Sequence, residues 1–333
     1  RGYRVLDNKP SHFILRVRRH ALGEVMRRKD RPVYALVDYE LLGRTDEQQS
    51  AYKAQQRARY LQIQSARPST DEPDLPSHLK RVNILGIDYV FGPAPNGGKI
   101  WAVGTRPDLF DYFLPDRWRR TPRVKLSLSS EVYRTRTRDN VHVVYRQSRV
   151  GQRPHFDPFY EQGRHIRRHG YNSPFEEVAL AETLRVAGIP TIYPRAIYRT
   201  GHESVRAGYL RDSLRYRTHA DLRTPEDPPE PILSEYHDYF TIWGLWRGVK
   251  PHEQYRDAEQ RGFVDVEKAH ADRLIDDRAY DQIVQRTRER LAAIGFNEQM
   301  LGDFEFLLSL EPDGQPRCDD RGDALVTLSL DAL

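Results

Sequence analysis

Short runs of continuous or alternating hydrophobicity recur along the chain and predict mostly strands. HFILRVR (12–18) and PVYALVDYELL (32–42) are rich in β-branched and aromatic residues, which suit a pleated, half-buried surface. TDEQQSAYKAQQRARYLQIQ (45–64) changes to good helix formers, with Thr45 and Gln48 at capping-box spacing. It is polar enough to keep at least one face in water. SARPSTDEPDLPS (65–77), dense in Pro, Ser and acids, predicts an exposed linker. VNILGIDYVFG and KIWAVG flank PAPNGG, where Asn96-Gly97-Gly98 supply the positive-φ positions of a hairpin over 82–104. A short amphipathic helix is expected at 107–113.

A second block begins near Pro122. VKLSLSSEVYRTRT and VHVVYRQSRVG (141–151), separated by a turn at Arg138-Asp139-Asn140, predict two or three antiparallel strands. Ser173-Pro174-Phe175-Glu176 then joins a capping box to proline at the first helical position, and Gly188 sits where a left-handed C-terminal cap belongs. TIYPRAIYRTG (191–201) returns as a strand, 220–231 is a Pro-rich exposed connection, and FTIWGLW (240–246) is strand-like. The pattern from 265 to 294 is helical, with Tyr280, Ile283, Val284, Thr287, Leu291 and Ile294 at helical spacing and Gly295 as the stop. FEFLLSL (304–310) and ALVTLSL (324–330) predict a final strand pair around Pro312-Asp313-Gly314.

Composition narrows the chemistry. Within 333 residues, 38% are hydrophobic and 30% charged, polar for a globular protein, although 11% aromatics can fill a core. The net charge of +5 permits an anionic partner without requiring one. The basic residues are 45 Arg against 8 Lys, with no Lys between Lys125 and Lys250. A single cysteine, Cys318, excludes an intrachain disulfide, a Cys-rich zinc module and a CxxC redox centre. No run of about 18 apolar residues exists, so a membrane span is not expected, and a cytoplasmic location is. The first residue is Arg and the last segment reads as an interrupted strand, so the chain is expected to be a fragment of a larger protein.

From about 123 onward the order is several strands, a helix, a strand, a connector, a long helix and a strand pair. This order, with its phrases, resembles the protein-kinase-like fold, closest to its small-molecule and lipopolysaccharide kinase branches. LSLSSEVYRTRT looks like a first strand, nucleotide-covering turn and second strand. VHVVYRQSRV looks like the third strand, SPFEEVALAETLRVAGI like the helix packed behind it, and TIYPRAIYRTG like the strand that follows. GFNEQMLGDFEFLLSLEPDG is similar to a catalytic loop and the hairpin after it. The pattern gives an α+β chain with a β-rich N-terminal domain (1–120), and the resemblance implies that 121–333 is a kinase-like two-lobed domain, incomplete at its C-terminus. It implies ATP and Mg²⁺ as cofactors, and an ATP-dependent phosphotransferase if the site is active.

Carried over residue by residue, the cation on the nucleotide phosphates falls at Arg146, since the family's lysine has no counterpart. Its partner acid falls at Glu177, whose helical neighbours Leu180, Ala181 and Leu184 put it on an apolar face where a carboxylate needs a cation. Asp303 stands at the catalytic aspartate, Glu305 is the oxygen donor nearest the missing metal-binding Asn, and Asp331 corresponds to the second metal ligand. The sequence departs from the family at several points. Leu301 replaces a histidine, Asp331 is followed by Ala-Leu, and the turn at Ser129-Ser130 lacks glycines. The reading is therefore a catalytically weakened domain that binds a nucleotide or a phosphorylated small molecule. Glu177 can also be an acid paired with any nearby Arg, and Asp303 can simply close a turn.

Other constellations compete. His165 and His169 have the i,i+4 spacing that can hold zinc, near His155 and Asp157, but Arg164, Arg167 and Arg168 put positive charge beside them and favour an anion. Arg117, Arg119, Arg120 and Arg123 surround Trp118, a mixture that suits single-stranded nucleic acid. Arg134, Arg136 and Arg138 share one face of a strand, with Thr135 and Thr137 opposite. The alternative function is a basic scaffold that binds nucleic acid or another polyanion along a continuous Arg stripe.

Overall fold

The computed structural model describes residues 3–5, 13–15, 24–36, 42–65, 74–126, 130–154, 170–204, 206–212, 214–246, 262–296 and 302–329. The chain divides into two compact units, Arg1–Ser65 and Ala66–Leu333. In the first, β1 (Tyr3–Val5) pairs with β6 (Leu42–Arg44), β2 (Phe13–Leu15) with β5 (Tyr34–Leu36), and β3 (Arg27–Arg28) with β4 (Arg31–Pro32). Helix α1 (Asp46–Ser65) follows, and the expected cap forms, with the Gln48 amide donating to Thr45 Oγ1 at 3.3 Å.

The second unit is mixed α+β, built on one antiparallel sheet of eight strands in the order β10-β11-β12-β14-β13-β9-β8-β7. These are β7 (Lys80–Ile84), β8 (Ile87–Pro93), β9 (Lys99–Val103), β10 (Arg123–Lys125), β11 (Val132–Arg136), β12 (His142–Gln147), β13 (Pro194–Arg199) and β14 (Tyr239–Gly244). Strands on both sides of the division expected near residue 120 belong to this sheet, and the chain divides into its compact units after Ser65. The join is the pairing of β9 with β13, where Tyr198 opposes Ile100 and Arg199 opposes Lys99. Like charges directly opposite repel, and Glu230 offsets both by taking Arg199 at 2.7 Å and Lys99 at 3.1 Å. Burial holds the Lys99 ammonium below its usual range, and the Arg199 hydrogen bond does the same for the Glu230 carboxyl.

Both faces of the sheet are covered. On the outer face, a 3-10 turn over Pro107–Phe113 and the short helix α2 (Pro115–Trp118) bury Phe110, Phe113 and Trp118. The Trp118 ring lies 4.6 Å from Tyr145 and 5.9 Å from both Tyr198 and Phe240, and its Nε1 donates to the Phe113 carbonyl at 2.9 Å. Trp118, read from sequence as one ring of a nucleic-acid groove, is 1% exposed and belongs to the core. Its partners come from three strands that sequence distance does not connect.

The inner face carries α3 (Pro174–Val186). Phe175 inserts edge-on against Trp101 at 5.3 Å and Tyr89 at 6.0 Å. The capping box is complete, with Glu176 N donating to Ser173 Oγ and Ser173 N to Glu176 Oε2, and Gly188 closes the helix at φ +73°. The C-terminal half of α3 shares a core with a three-stranded sheet of β15 (Phe263–Asp265), β16 (Phe306–Ser309) and β17 (Val326–Leu328). Helices α4 (Val266–Ala271) and α5 (Asp277–Ala293) complete that core. The continuous helix expected over 265–294 is broken because Asp265 and Asp276 each cap a helix of their own and Arg273 turns left-handed at φ +58°. Among the described residues no helix is long and apolar enough to cross a membrane.

Replacing Trp118 by alanine removes the centre of the outer-face cluster. The expected loss is about 3–5 kcal/mol of unfolding free energy in urea titrations. Binding to a single-stranded oligonucleotide should not depend on the ring itself, and a folded, unweakened variant that loses oligonucleotide binding would contradict this placement.

Candidate functional site

Arg146 and Glu177 are brought together. Arg146 stands on β12, opposite Val132 of β11 and Thr241 of β14, with its side chain toward α3. Glu177 lies in the first turns of α3, fixed in rotation by the Ser173 cap three to four residues earlier. Arg146 Nη2 is 2.7 Å from Glu177 Oε1, and the two side chains are 8% and 5% exposed. Thr241 Oγ1 donates to the other carboxylate oxygen, Oε2, at 2.8 Å. The helix N-terminus adds a favourable dipole for this carboxylate. Such a pair holds helix to sheet because removing either partner strands a charge out of water.

Thr241 was not legible as a participant. Its only signal is a hydroxyl within the apolar run FTIWGLW, and hydroxyls in strands usually face water.

The neighbouring acid, Glu176, faces the other way. Its carboxylate takes Arg215 Nη1 at 2.5 Å, and Arg215 Nη2 reaches Asn172 Oδ1 at 2.6 Å. Beside it the capping residue Ser173 meets His219, with Oγ 2.8 Å from Nε2, while His219 Nδ1 lies 3.0 Å from Thr218 Oγ1. Burial, which outweighs the opposing pull of Glu176, holds the His219 imidazole below its ordinary value, with Arg215 acting in the same direction. This buried contact ties the start of α3 to the 214–219 turn.

The other sequence candidates sit elsewhere. Asp303 begins a 3-10 turn and is taken up by α5, accepting from the Tyr280 hydroxyl at 2.6 Å and Arg288 Nη2 at 2.8 Å. That bond pushes the Tyr280 phenol up to about 12. Glu305 is buried, with Oε2 accepting the Gly302 amide at 3.1 Å and its carbonyl accepting Ser329 N at 2.7 Å. Asp331 and Ser129 lie outside the described residues, as do His155, Asp157, Arg164, His165, Arg167, Arg168 and His169. Among the described residues no group of three His, Cys, Asp or Glu side chains could hold a metal ion.

The arginine clusters are dispersed. Arg117 pairs with Asp139 at 3.0 Å, Arg119 lies over the Phe240 ring at 5.1 Å, and Arg123 lies over Tyr133 at 4.3 Å. Arg123 is opposite Thr135, so it shares the outer face, whereas Arg134 is opposite Val144 and shares the inner face with Arg146. The two clusters therefore do not form one stripe.

A cavity of about 910 Å³ opens where β12 ends and β14 begins, lined by Gln147, Gln152, Arg153, Ser204, His237 and Asp238 among others. None of Arg146, Glu177, Asp303 or Glu305 lines it. Its polar groups are partly engaged with one another, Ser204 Oγ donating to Asp238 Oδ2 at 2.8 Å. Compared with family models, curated proteins and solved structures, the chain matches none of them.

Glu177→Gln is expected to destabilise the second unit by about 3–5 kcal/mol, and Thr241→Val by about 1–3 kcal/mol, read from urea unfolding. Equal stability of both variants and wild type would dissociate the pair from the fold. His219 gives a pH dependence of defined sign. Its imidazole is held low in the folded state, so below about pH 6.5 the unfolded chain binds the extra proton. Stability should therefore fall as pH drops from 7.5 through 6.5 toward the folded-state value, and His219→Gln should flatten that slope. An unchanged slope in the variant would place the acid sensitivity elsewhere.

Proposed function

We propose that the part of the chain from β10 onward is a kinase-like, two-lobed nucleotide-binding module whose capacity for phosphoryl transfer is weakened. The observation that carries this reading is the buried Arg146–Glu177 pair joining the third of three adjacent strands to the helix behind it. The resemblance calls for a cation and an acid at those two positions. The strands likened to the second and third of that fold lie side by side as β11 and β12, while the residues likened to its first strand fall largely outside the described residues; the strands likened to its later hairpin pair as β16 and β17.

The residues described fit a nucleotide better than they fit magnesium chemistry. Asp303, at the position of the catalytic aspartate, has its two carboxylate oxygens engaged by a tyrosine and an arginine of α5. Glu305 is buried and bonded to a backbone amide, a poor starting point for a hard cation that keeps its waters. The alternative, a polyanion-binding scaffold, has less support, because its arginines are divided between two faces of the sheet and two of them, Arg119 and Arg123, lie over aromatic rings.

The test is a thermal-unfolding scan of the chain with ADP or ATP, each with and without Mg²⁺. At about a hundred times its Kd a ligand stabilises by roughly 2.7 kcal/mol, a rise of several degrees. The expected result is a rise that does not require magnesium. No shift at saturating nucleotide would overturn the reading and favour the polyanion alternative.

A further inference from the structure

The cavity at the ends of β12 and β14 has no part in the nucleotide reading, since neither Arg146 nor Glu177 lines it. Its volume of about 910 Å³ suits a small organic molecule. Both walls are fixed by bonds of their own backbone. On one side Ser148 N donates to the Tyr239 carbonyl at 2.8 Å, Val150 N to Ser148 Oγ at 3.2 Å and Gly151 N to the Tyr216 hydroxyl at 3.1 Å. On the other, Ser204 N and Ala207 N donate to the carbonyls of Tyr236 and Glu235, both at 2.7 Å. The walls meet at Gly151, which has a left-handed φ of +73° and would bring a Cβ within 2.9 Å of Ala207 and Leu210. The cavity is therefore preformed.

The side chains that line it are less committed than its backbone. Among the described residues the Gln147 and Gln152 amides and the Tyr209 hydroxyl make no hydrogen bond. Asp238 gives one carboxylate oxygen to Ser204 at 2.8 Å, and its main chain is bonded twice to Thr200, so its second oxygen is held in place and left to accept. His237 Nδ1 lies 3.2 Å from the His202 carbonyl, which only accepts. The ring proton therefore sits on Nδ1, and Nε2 keeps a lone pair. Of the charges on the walls, Arg206 is paired with Glu235 at 3.0 Å, which leaves Arg153 and Asp238, one of each sign.

We propose that this cavity binds a neutral polyhydroxylated molecule, a mono- or disaccharide. The site is separate from the nucleotide reading and does not rest on it. The two amides both donate and accept, His237 and Asp238 accept, and Arg153 donates. A phosphate suits Arg153 but meets the Asp238 carboxylate and the His237 lone pair, and an ammonium suits Asp238 but meets Arg153. A sugar matches the whole set, because each hydroxyl turns to donate or accept as its neighbour requires. Its C–H faces find an apolar surface on the half-buried Tyr209 ring, which is packed against the core.

The experiment is saturation-transfer NMR and calorimetric titration of the chain with glucose, galactose, mannose and maltose, for wild type, Gly208→Ala, Gly208→Phe and Gln152→Ala. Gly208 lines the cavity, and a Cβ placed there meets nothing within 4 Å, so a side chain enters the space without pressing on the walls. At least one of these sugars should bind wild type and Gly208→Ala. Gly208→Phe should abolish that binding with the ligand-free melting temperature unchanged, and Gln152→Ala should weaken it about three- to tenfold. Inorganic phosphate should not compete. The effect of ADP on the melting temperature should be the same in Gly208→Phe as in wild type, which keeps the two sites apart. Failure of all the sugars to bind would overturn the proposal, as would full sugar binding by Gly208→Phe. Phosphate binding lost in Gly208→Phe, without sugar binding, would make the cavity an anion site instead. If Gly208→Phe melts early, Gln152→Ala decides, since that residue is exposed and unchanged sugar affinity there overturns the assignment.

Discussion

The second unit depends on how a helix with a carboxylate on its packed face is held against a sheet with a guanidinium on the matching strand. Arg146 and Glu177 are both almost wholly out of water, so each is stable only in the presence of the other, and Thr241 completes the carboxylate from a third element. The pair works because its geometry is set on both sides. The Ser173 capping box fixes the rotation of α3, and an uninterrupted register across β11, β12 and β14 fixes where Arg146 points. Downstream, the same helix delivers Ala181 and Leu184 into the core built by α4, α5 and the three-stranded sheet. A slip of one residue in β12 would turn Arg146 to the outer face and put Tyr145, the partner of Trp118, in its place.

Much of this local structure was legible because its signals are local. Ser173-Pro174-Phe175-Glu176 and Gly188 announce the two ends of α3 from backbone chemistry alone. Asn96-Gly97-Gly98 marks the β8–β9 turn for the same reason. Glu177 could be paired with a cation in advance because helical spacing places it among Leu180, Ala181 and Leu184, and an acid there needs a counterion. What stayed hidden depends on contacts between distant residues. Trp118 sits in a run of arginines and reads as a surface residue until Tyr145, Tyr198 and Phe240 arrive beneath it. The break after α4 is equally obscure, since the periodicity from Tyr280 onward continues the preceding pattern and only the Asp265 and Asp276 caps divide it.

The abundance of arginine also takes on a definite structural meaning. On the outer face, Arg119 and Arg123 lie over aromatic rings and shield them, a task for which a planar, weakly hydrated cation is better suited than lysine. At the core, Arg146 and Arg199 are taken into the sheet with acids attached. Some basic residues that look like a binding surface when counted along the sequence, Arg119 and Arg123 among them, thus also cover aromatic rings of the sheet.

The pairing of β9 with β13 bears on the order in which the chain can acquire its structure. β7, β8 and β9 are joined by short connections and can form a meander as soon as they are made. The open side of β9 meets its partner only when Arg199 comes to lie opposite Lys99, about a hundred residues further along. Closing so long a loop is entropically expensive and slow compared with hairpin formation. During synthesis the meander therefore waits with the inner face of Trp101 and Phe91 uncovered until α3 and β13 have left the ribosome, apolar surface that favours association while it lasts.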